Sequence, residues 1–208
     1  MGFNVPLFDL SYNNRKIRDH IIAVVERHIE TSTFILGPDV KLFEDKFSKL
    51  IKCNFTVGVN SGTDALIIAL KALKIGPGDE VITVPNSYVA TAQAISLVGA
   101  KPVFVDVLPD QNMNPDLLEN AITKKTKAIM PVHMYGNMCN MNRIMTIAKE
   151  SNLLVVEDCA ESFFASDDQG RKAGTVGHVG SWSFENSKHL STGDGGIVVT
   201  DDETLATS

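Results

Sequence analysis

Lys188 stands in a segment rich in hydroxyl, amide and glycine residues at 183–196 (Ser-Phe-Glu-Asn-Ser-Lys-His-Leu-Ser-Thr-Gly-Asp-Gly-Gly). A lysine is by default a solvated surface charge, but the glycines around this one allow close approach of the backbone. An acidic pair, Glu157 and Asp158, ends an apolar run upstream. A lysine can form a Schiff base with an aldehyde cofactor, and a carboxylate held at a distance can tune that cofactor. The two segments together favour this chemistry.

Asp158 closes a run at 153–158 (Leu-Leu-Val-Val-Glu-Asp) that has the composition of a buried strand. A carboxylate at such a strand end is costly unless it has a partner. A pyridinium N–H is a suitable partner, because a charge-assisted hydrogen bond keeps the ring nitrogen protonated. The alternative is that Asp158 caps a helix formed by the segment that follows it.

The segment 57–66 (Val-Gly-Val-Asn-Ser-Gly-Thr-Asp-Ala-Leu) has the pattern of a strand that passes through a small-residue turn into a helix. Ser61, Gly62 and Thr63 would present N–H groups and hydroxyls at the helix N-terminus, which is a common way to hold a phosphate. Plain N-capping by Ser61 or Thr63 is the alternative. The turn lacks the G-x-G-x-x-G pattern that a dinucleotide-binding fold requires.

Tyr88 follows a predicted strand, within 84–91 (Val-Pro-Asn-Ser-Tyr-Val-Ala-Thr). Open α/β sheets bind their ligands at the carboxyl ends of strands. An aromatic ring at that place can stack on a flat heterocycle, although packing in the core is the alternative for this tyrosine.

Short β-rich runs alternate with helical segments along the chain from about residue 55. The runs lie about 20 to 25 residues apart, which is the spacing of βα crossovers rather than of hairpins. Their Val and Ile residues do not alternate strictly with polar ones, as expected when both faces of a sheet are covered. The predicted strands are 55–59, 80–84, 102–107, 128–132, 153–157, 180–184 and 197–200, with helices near 17–29, 40–51, 63, 89, 115 and 140. The fold class is therefore α/β, with a mostly parallel sheet flanked by helices.

The composition limits the classes of function. With 208 residues, 44% hydrophobic content and a net charge of −6, the chain resembles an ordinary globular domain with no basic surface for nucleic acid. We also expect no membrane span and no signal peptide, and Pro6 stands where myristoylation at Gly2 would need Ser or Thr. The cysteines Cys53, Cys139 and Cys159 fit reduced thiols in the cytoplasm. The histidines show no ligand spacing, so we expect no metal.

Motifs along nearly the whole chain carry a resemblance to a known family. They lie at 35–44, 60–66, 76–82, 85–91, 99–106, 131–136, 157–161 and 183–196. In these motifs the chain resembles the DegT/StrS-type nucleotide-sugar aminotransferases, which are fold type I enzymes that depend on pyridoxal 5'-phosphate (PLP). The resemblance implies the large PLP-binding domain of such an enzyme.

The resemblance implies a role for each residue of the predicted site. Lys188 matches the lysine that forms the Schiff base with PLP, and Asp158 matches the carboxylate on the pyridine nitrogen. Tyr88 matches the aromatic residue stacked on the ring.

Four further residues match positions around the cofactor. Gly62 and Thr63 match the backbone cradle for the phosphate, and Ser183 matches a hydroxyl on the same phosphate. Glu161 stands where many relatives carry Gln or His near the ring oxygen, and an acid there resembles the perosamine-synthase-like branch of the family.

The reaction implied is transfer of an amino group, usually from glutamate, to a keto-sugar linked to a nucleoside diphosphate. Such products are precursors of polysaccharides or glycans, lipopolysaccharide O-antigen among them, and the family forms homodimers. Some relatives carry histidine in place of the lysine and dehydrate the sugar. The register counted from Ser183 and from Gly196 places Lys188, not His189, on the cofactor, which favours transamination.

Family members are much longer than this chain, so the resemblance implies that the chain ends inside the large domain. We expect a helical leader at 1–36, an α/β core at 37–208 and no C-terminal small domain. The chain alone is then expected to be incomplete as a catalyst. The alternative function is that of a PLP-fold fragment that serves only as a binding or dimerisation module.

Overall fold

A computed structural model describes Asp9 and residues 11–208, without the side chain of Asn13. Gly2, Pro6 and the first part of the predicted leader lie outside these residues. The chain divides into two compact units, Met1–Phe43 and Glu44–Ser208. No helix among the described residues has the length and hydropathy of a membrane span.

The first unit contains α1 (Ser11–Thr31) and the first turns of α2 (Pro38–Ile51), which confirms the two helices predicted there. A histidine ties the turn between them: His28 Nδ1 lies 2.7 Å from the carbonyl oxygen of Thr33, and its Nε2 lies 2.8 Å from Oδ2 of Asp39. The turn between the helices is therefore held by side-chain contacts at both of its ends.

The second unit is built on a seven-stranded sheet with the order β1-β7-β6-β5-β4-β2-β3. The strands are β1 (Phe55–Val59), β2 (Glu80–Thr83), β3 (Lys101–Phe104), β4 (Thr126–Ile129), β5 (Leu154–Asp158), β6 (Val179–Ser183) and β7 (Gly196–Thr200). The helices are α3 (Gly62–Ala72), α4 (Ala90–Leu97), α5 (Leu118–Ala121), α6 (Met141–Glu150) and α7 (Glu203–Ala206). All strand pairs are parallel except those of β7, which is antiparallel to both β1 and β6. The predicted α/β class is confirmed.

Some predicted boundaries differ from the observed ones. The strand expected at 102–107 ends at Phe104, because the chain then turns back and Val107 pairs with Met113 in an isolated antiparallel bridge. The helix expected near 115 is a 3-10 turn, Pro115–Leu117, that leads into the single turn of α5. A hydrophobic pattern does not distinguish such short turns from regular elements.

Each central strand contributes side chains to both faces of the sheet. On β5, Val155 belongs to the hydrophobic cluster on one face and Val156 to the cluster on the other. Val81 and Ile82 of β2 divide in the same way. Because successive side chains of a strand point to opposite faces, the acidic pair at the end of β5 must also divide between them.

Glu157 is fully buried and holds the segment after β5 against the sheet. Its carboxylate accepts hydrogen bonds from the backbone N–H groups of Gly174, Val176 and Gly177, the first two at 2.9 and 2.7 Å. His133 Nε2 lies 2.8 Å away, and His133 Nδ1 accepts from the N–H of Cys139, so the ring proton lies on Nε2 and is donated to Glu157. Burial opposes ionisation, but these donors lower the pKa of Glu157.

We predict that Gly180→Ala destabilises the fold. A Cβ on this β6 residue would lie 2.3 Å from the carbonyl oxygen of Gly174, so backbone would have to move. Overpacking of this kind costs about 1–3 kcal/mol. The free energy of unfolding, measured with urea, should fall by about 1–3 kcal/mol. Gly76→Ala is the matched control, because its Cβ would meet only the carbonyl oxygen of Val98, at 3.6 Å; equal effects of the two substitutions would contradict the packing described.

We also predict that Glu157→Gln destabilises the fold by about 3 kcal/mol near neutral pH, since the buried donors lose their charged acceptor. The folded-state pKa of Glu157 is lowered, so its contribution is complete above the pKa of an unfolded glutamate, about 4.3, and is lost as the pH falls through the folded-state value. Urea unfolding at several pH values measures how the free energy of unfolding falls as the pH is lowered, which is the acid limb of the stability profile. This limb should be less steep for Glu157→Gln than for the wild type.

The matched control for that measurement is Glu119→Gln, because Glu119 is exposed and pairs with Arg143 at the surface. Surface pairs are worth about 0–1 kcal/mol, so this variant should keep the wild-type acid limb. An acid limb in Glu157→Gln as steep as that of the wild type would show that the buried carboxylate does not stabilise the fold.

Candidate active site

A cavity of about 510 Å³ opens at the edge of the sheet where β1, β2, β5 and β6 end. This is the edge at which α/β folds bind ligands. All eight residues predicted for the site line this cavity: Ser61, Gly62, Thr63, Tyr88, Asp158, Glu161, Ser183 and Lys188. The structure thus brings together residues from four separate segments, and their individual roles remain predictions.

The N-terminus of α3 forms one wall of the cavity. Ser61 is the N-cap, with extended backbone, and its Oγ accepts from the N–H of Asp64 at 3.1 Å. The first helical hydrogen bond runs from Ala65 to the carbonyl of Ser61, so the amides of Gly62 and Thr63 precede it and have no partner within the helix. Capping and anion binding, posed as alternatives, are compatible here because they use different groups.

Gly62 lies directly against the end of β6. A Cβ at this position would come within 2.5 Å of the Cβ of Ser183 and 3.0 Å of its Oγ. Only glycine permits this approach, and the result is that the Ser183 hydroxyl lies beside the free amides of α3. Hydroxyl and amide donors therefore converge on one corner of the cavity.

Asp158 is 3% exposed and lies at the carboxyl end of β5. Its Oδ2 accepts from Thr91 Oγ1 at 2.8 Å, and its Oδ1 accepts from the N–H of Ala160 at 3.2 Å. Burial raises its pKa, although these hydrogen bonds act in the opposite direction. No helix follows β5 until α7, which excludes the alternative that Asp158 caps a helix in the next segment.

Lys188 belongs to a loop between β6 and β7 that is fixed at its base. Phe184 is buried and packs edge-on against Phe47, with ring centroids 5.8 Å apart, and its backbone bonds to Gly195 and Thr192. From this base the chain turns so that the Lys188 side chain enters the cavity, where Nζ forms an ion pair with Glu161. His189 is exposed and does not line the cavity, which agrees with the register counted from the sequence.

Tyr88 is 75% exposed at the rim of the cavity. The alternative that its ring packs in the core is therefore wrong. Its ring is available to a ligand in the cavity, and stacking on a heterocycle stays a prediction.

Sequence reasoning missed several polar residues of the cavity. Thr91 is 2% exposed and reaches Asp158 from the first turn of α4, and Ser87 contacts Thr91. Ser181 lies two residues before Ser183 on β6, so that strand alternation alone would place both on one face. Thr91 follows Tyr88 by three residues. Once the helix start was known, this spacing would have indicated that Thr91 lies on the same side as Tyr88.

One buried group, His133, Glu157 and Cys159, has ligand atoms within 4.8 Å of one another, as a metal site would. The hydrogen bonds described above already occupy the histidine and the carboxylate. Burial raises the pKa of Cys159 well above its usual range, so that the thiol stays protonated. These side chains serve the packing of the chain around β5.

A primary amine, a buried carboxylate and free helix amides thus share one cavity. These are the groups that a phosphorylated heterocyclic aldehyde requires: a nucleophile, an acceptor for a ring N–H, and donors for a phosphate.

Two curated relatives illustrate what the chain is similar to. The chain is 42% identical to the UDP-2-acetamido-2-deoxy-3-oxo-D-glucuronate aminotransferase of Pseudomonas aeruginosa over 206 residues, which are 98% of this chain and 57% of that protein. It is 45% identical over 170 residues, 81% of its length, to 46% of the GDP-perosamine synthase of Escherichia coli O157:H7. The chain spans about half the length of the curated relatives it matches.

Solved structures show the same architecture. A DegT DnrJ EryC1 StrS aminotransferase from Brucella abortus has 37% identity and a TM-score of 0.93, covering 98% of this chain and 57% of that one. A Bacillus subtilis protein, NtdA, solved with bound cofactor PMP, has 35% identity and a TM-score of 0.88, covering 97% and 46%.

The sequence profile of the DegT/DnrJ/EryC1/StrS aminotransferases matches residues 15–208, which is most of the chain. PLP, the cofactor expected from the resemblance, is the cofactor of these aminotransferases, and a second neighbour, from Streptococcus pneumoniae, was also solved in the PMP form. The chain belongs to the DegT/DnrJ/EryC1/StrS aminotransferase family.

Proposed function

We propose that the cavity holds PLP and that the protein uses it to transfer an amino group, from glutamate, to a keto-sugar linked to a nucleoside diphosphate. The observation that supports this most directly is that the amine of Lys188 and the carboxylate of Asp158 line one cavity with the free amides of α3. When bound, PLP supplies an electron sink that stabilises negative charge at the substrate carbon.

The corner between α3 and β6 suits the phosphate. The amides of Gly62 and Thr63 carry the partial positive charge of a helix N-terminus, and the hydroxyl of Ser183 lies beside them. Because Gly62 has no side chain, Ser183 can lie this close to the start of α3. We therefore assign phosphate binding to Ser61, Gly62, Thr63 and Ser183.

Asp158 would accept the N–H of the pyridine ring, and Tyr88 would cover one face of that ring. A carboxylate buried without an ion pair gains from a charged donor more than an exposed one does, since the local dielectric constant is low. Asp158 has this burial, and it lines the cavity with Tyr88 at the rim.

Lys188 would serve first as the nucleophile and then as the base. Its Nζ is paired with Glu161, so the ammonium has a carboxylate within reach to take the proton that the amine must lose before it attacks an aldehyde. Once it is free again, the Lys188 amine would remove the proton from the substrate carbon. Proton transfer by a positioned base contributes about 10²- to 10⁴-fold in rate. In this proposal, Glu161 pairs with the Lys188 ammonium and then accepts the proton that Nζ loses.

The names of the relatives support the choice of acceptor, since they refer to UDP- and GDP-linked sugars. We extend this to products that are precursors of polysaccharides or glycans, including lipopolysaccharide O-antigen, and to a homodimer as the working form. A cytoplasmic location belongs to the same proposal, and the three cysteines, all free, fit it. Lys188 rather than His189 in the cavity favours transamination over the dehydration considered above.

We predict that the chain captures PLP covalently through Lys188. The protein is incubated with PLP, reduced with borohydride, digested and mapped by mass spectrometry, and the label should lie on the peptide that contains Lys188. Lys188→Ala should abolish the label, whereas the neighbouring His189→Ala should keep it, because His189 does not line the cavity. A wild-type chain that takes up no label, or is labelled on another lysine, would instead favour a binding or dimerisation module.

The substrate class is tested by incubation with PLP, glutamate and a panel of nucleotide-linked 3-keto- and 4-keto-sugars. Formation of an amino sugar, followed by mass spectrometry, is the expected result, and it should require Lys188. Transfer to a simple keto acid but to none of the sugars would show that the acceptor is assigned wrongly.

A further inference from the structure

We propose that Thr91 is a positioning residue for the proposed PLP reaction: together with Ser87, it fixes the carboxylate of Asp158 in the orientation that receives the ring N–H. Nothing in the family resemblance assigned a role to either hydroxyl. The proposal rests on the proposed function for its meaning in catalysis, but the contacts that carry it belong to the chain itself.

The contact between Thr91 and Asp158 is short and sheltered. Thr91 Oγ1 lies 2.8 Å from Oδ2 of Asp158, and the two residues are 2% and 3% exposed. Thr91 lies in the first turn of α4, while Asp158 ends β5. The hydrogen bond therefore fixes a helix start to a strand end at the inner wall of the cavity.

The direction of the donors follows from the chemistry of the groups. An ionised carboxylate only accepts, so Thr91 must donate its hydroxyl proton to Asp158. Ser87 Oγ lies 2.7 Å from Thr91 Oγ1, and since the threonine proton is already used, Ser87 donates to Thr91. Two hydroxyls thus form a chain that starts at the cavity wall, and each donor in such a chain strengthens the next.

Asp158 depends on these neutral donors because, among the described residues, it forms no ion pair. His133 from the segment after β4 and Lys188 from the loop after β6 act on its carboxylate only through space, and Glu157 points to the opposite face of the sheet. The remaining direct donor is the N–H of Ala160, at the longer distance of 3.2 Å. Thr91 therefore supplies the shortest hydrogen bond that holds this buried carboxylate.

One donor on each oxygen also defines how the carboxylate can turn. Thr91 occupies Oδ2 and Ala160 occupies Oδ1, so rotation of the group would break both hydrogen bonds. Each oxygen keeps a second lone pair for a ligand. Without the threonine hydroxyl, the carboxylate would lose one of its two anchors and part of the support for its charge.

The test compares Thr91→Val, which keeps the shape and removes the hydroxyl, with Thr91→Ser, which keeps the hydroxyl. In the 208-residue chain labelled with ¹³C-aspartate, the Asp158 carboxyl signal is assigned with Asp158→Asn and titrated by NMR. Thr91→Val should titrate at higher pH than the wild type, because the ionised form loses a donor. Thr91→Ser should titrate close to the wild type, and Ser87→Ala should shift in the same direction as Thr91→Val but less.

The matched control is Thr83→Val. Thr83 is also buried, and its hydroxyl donates to the carbonyl of Met130 at 2.9 Å, away from the cavity. The Thr83→Val substitution removes a hydrogen bond of similar length to that of Thr91, in a residue that does not contact Asp158. An effect on Asp158 that appears equally in Thr83→Val would mean general loosening of the fold and would overturn the proposal.

Titration of PLP into the same variants gives the second readout. Thr91→Val should weaken PLP binding by about tenfold or more, as expected for a lost hydrogen bond to a charged group. An Asp158 titration in Thr91→Val identical to that of the wild type overturns the positioning role. A wild-type chain that binds no PLP contradicts the proposed function instead, while the carboxyl titration still decides the role of Thr91.

Discussion

The burial of two adjacent carboxylates at the end of β5 is the constraint to which the rest of the second unit conforms. Strand alternation sends them to opposite faces, and each face must then supply donors, because a buried charge without partners is costly. Glu157 collects three backbone amides and the His133 ring, which fixes the segment after β5. Among the described residues, the Asp158 carboxylate accepts only from Thr91 and Ala160, so it keeps accepting capacity at the cavity wall. The fold thus supplies more donors to Glu157 than to Asp158, and the proposed function rests on this difference.

The same edge of the sheet brings the other chemical groups to Asp158. Parallel strands end at one edge, so the turns after β1, β2 and β6 reach it from three separate stretches of sequence. Gly62 allows α3 to approach β6, and the buried ring of Phe184 fixes the base of the loop that carries Lys188. The positions of Lys188 and of the first amides of α3 therefore follow from packing.

Much of this arrangement could be predicted from the sequence because it depends on local patterns. Runs of Val and Ile at crossover spacing predicted the sheet, and polar residues at strand ends predicted that Asp158, Lys188 and the turn at Ser61 would meet. The division of labour between Glu157 and Asp158 could not be predicted in this way, since it depends on which loops pack on each face. Thr91 was missed for the same reason: its partner is 67 positions away along the chain, and only the tertiary fold brings α4 against the end of β5.

The central claim is that Asp158 and Lys188 hold opposite ends of one cofactor, and a crystal structure of the chain grown with PLP tests it most directly. The account predicts electron density continuous with Lys188 Nζ, a phosphate at the amides of Gly62 and Thr63, and a ring nitrogen about 2.7–2.9 Å from the Asp158 carboxylate. Cofactor bound outside this cavity, or bound in it with the ring nitrogen turned away from Asp158, would contradict the account.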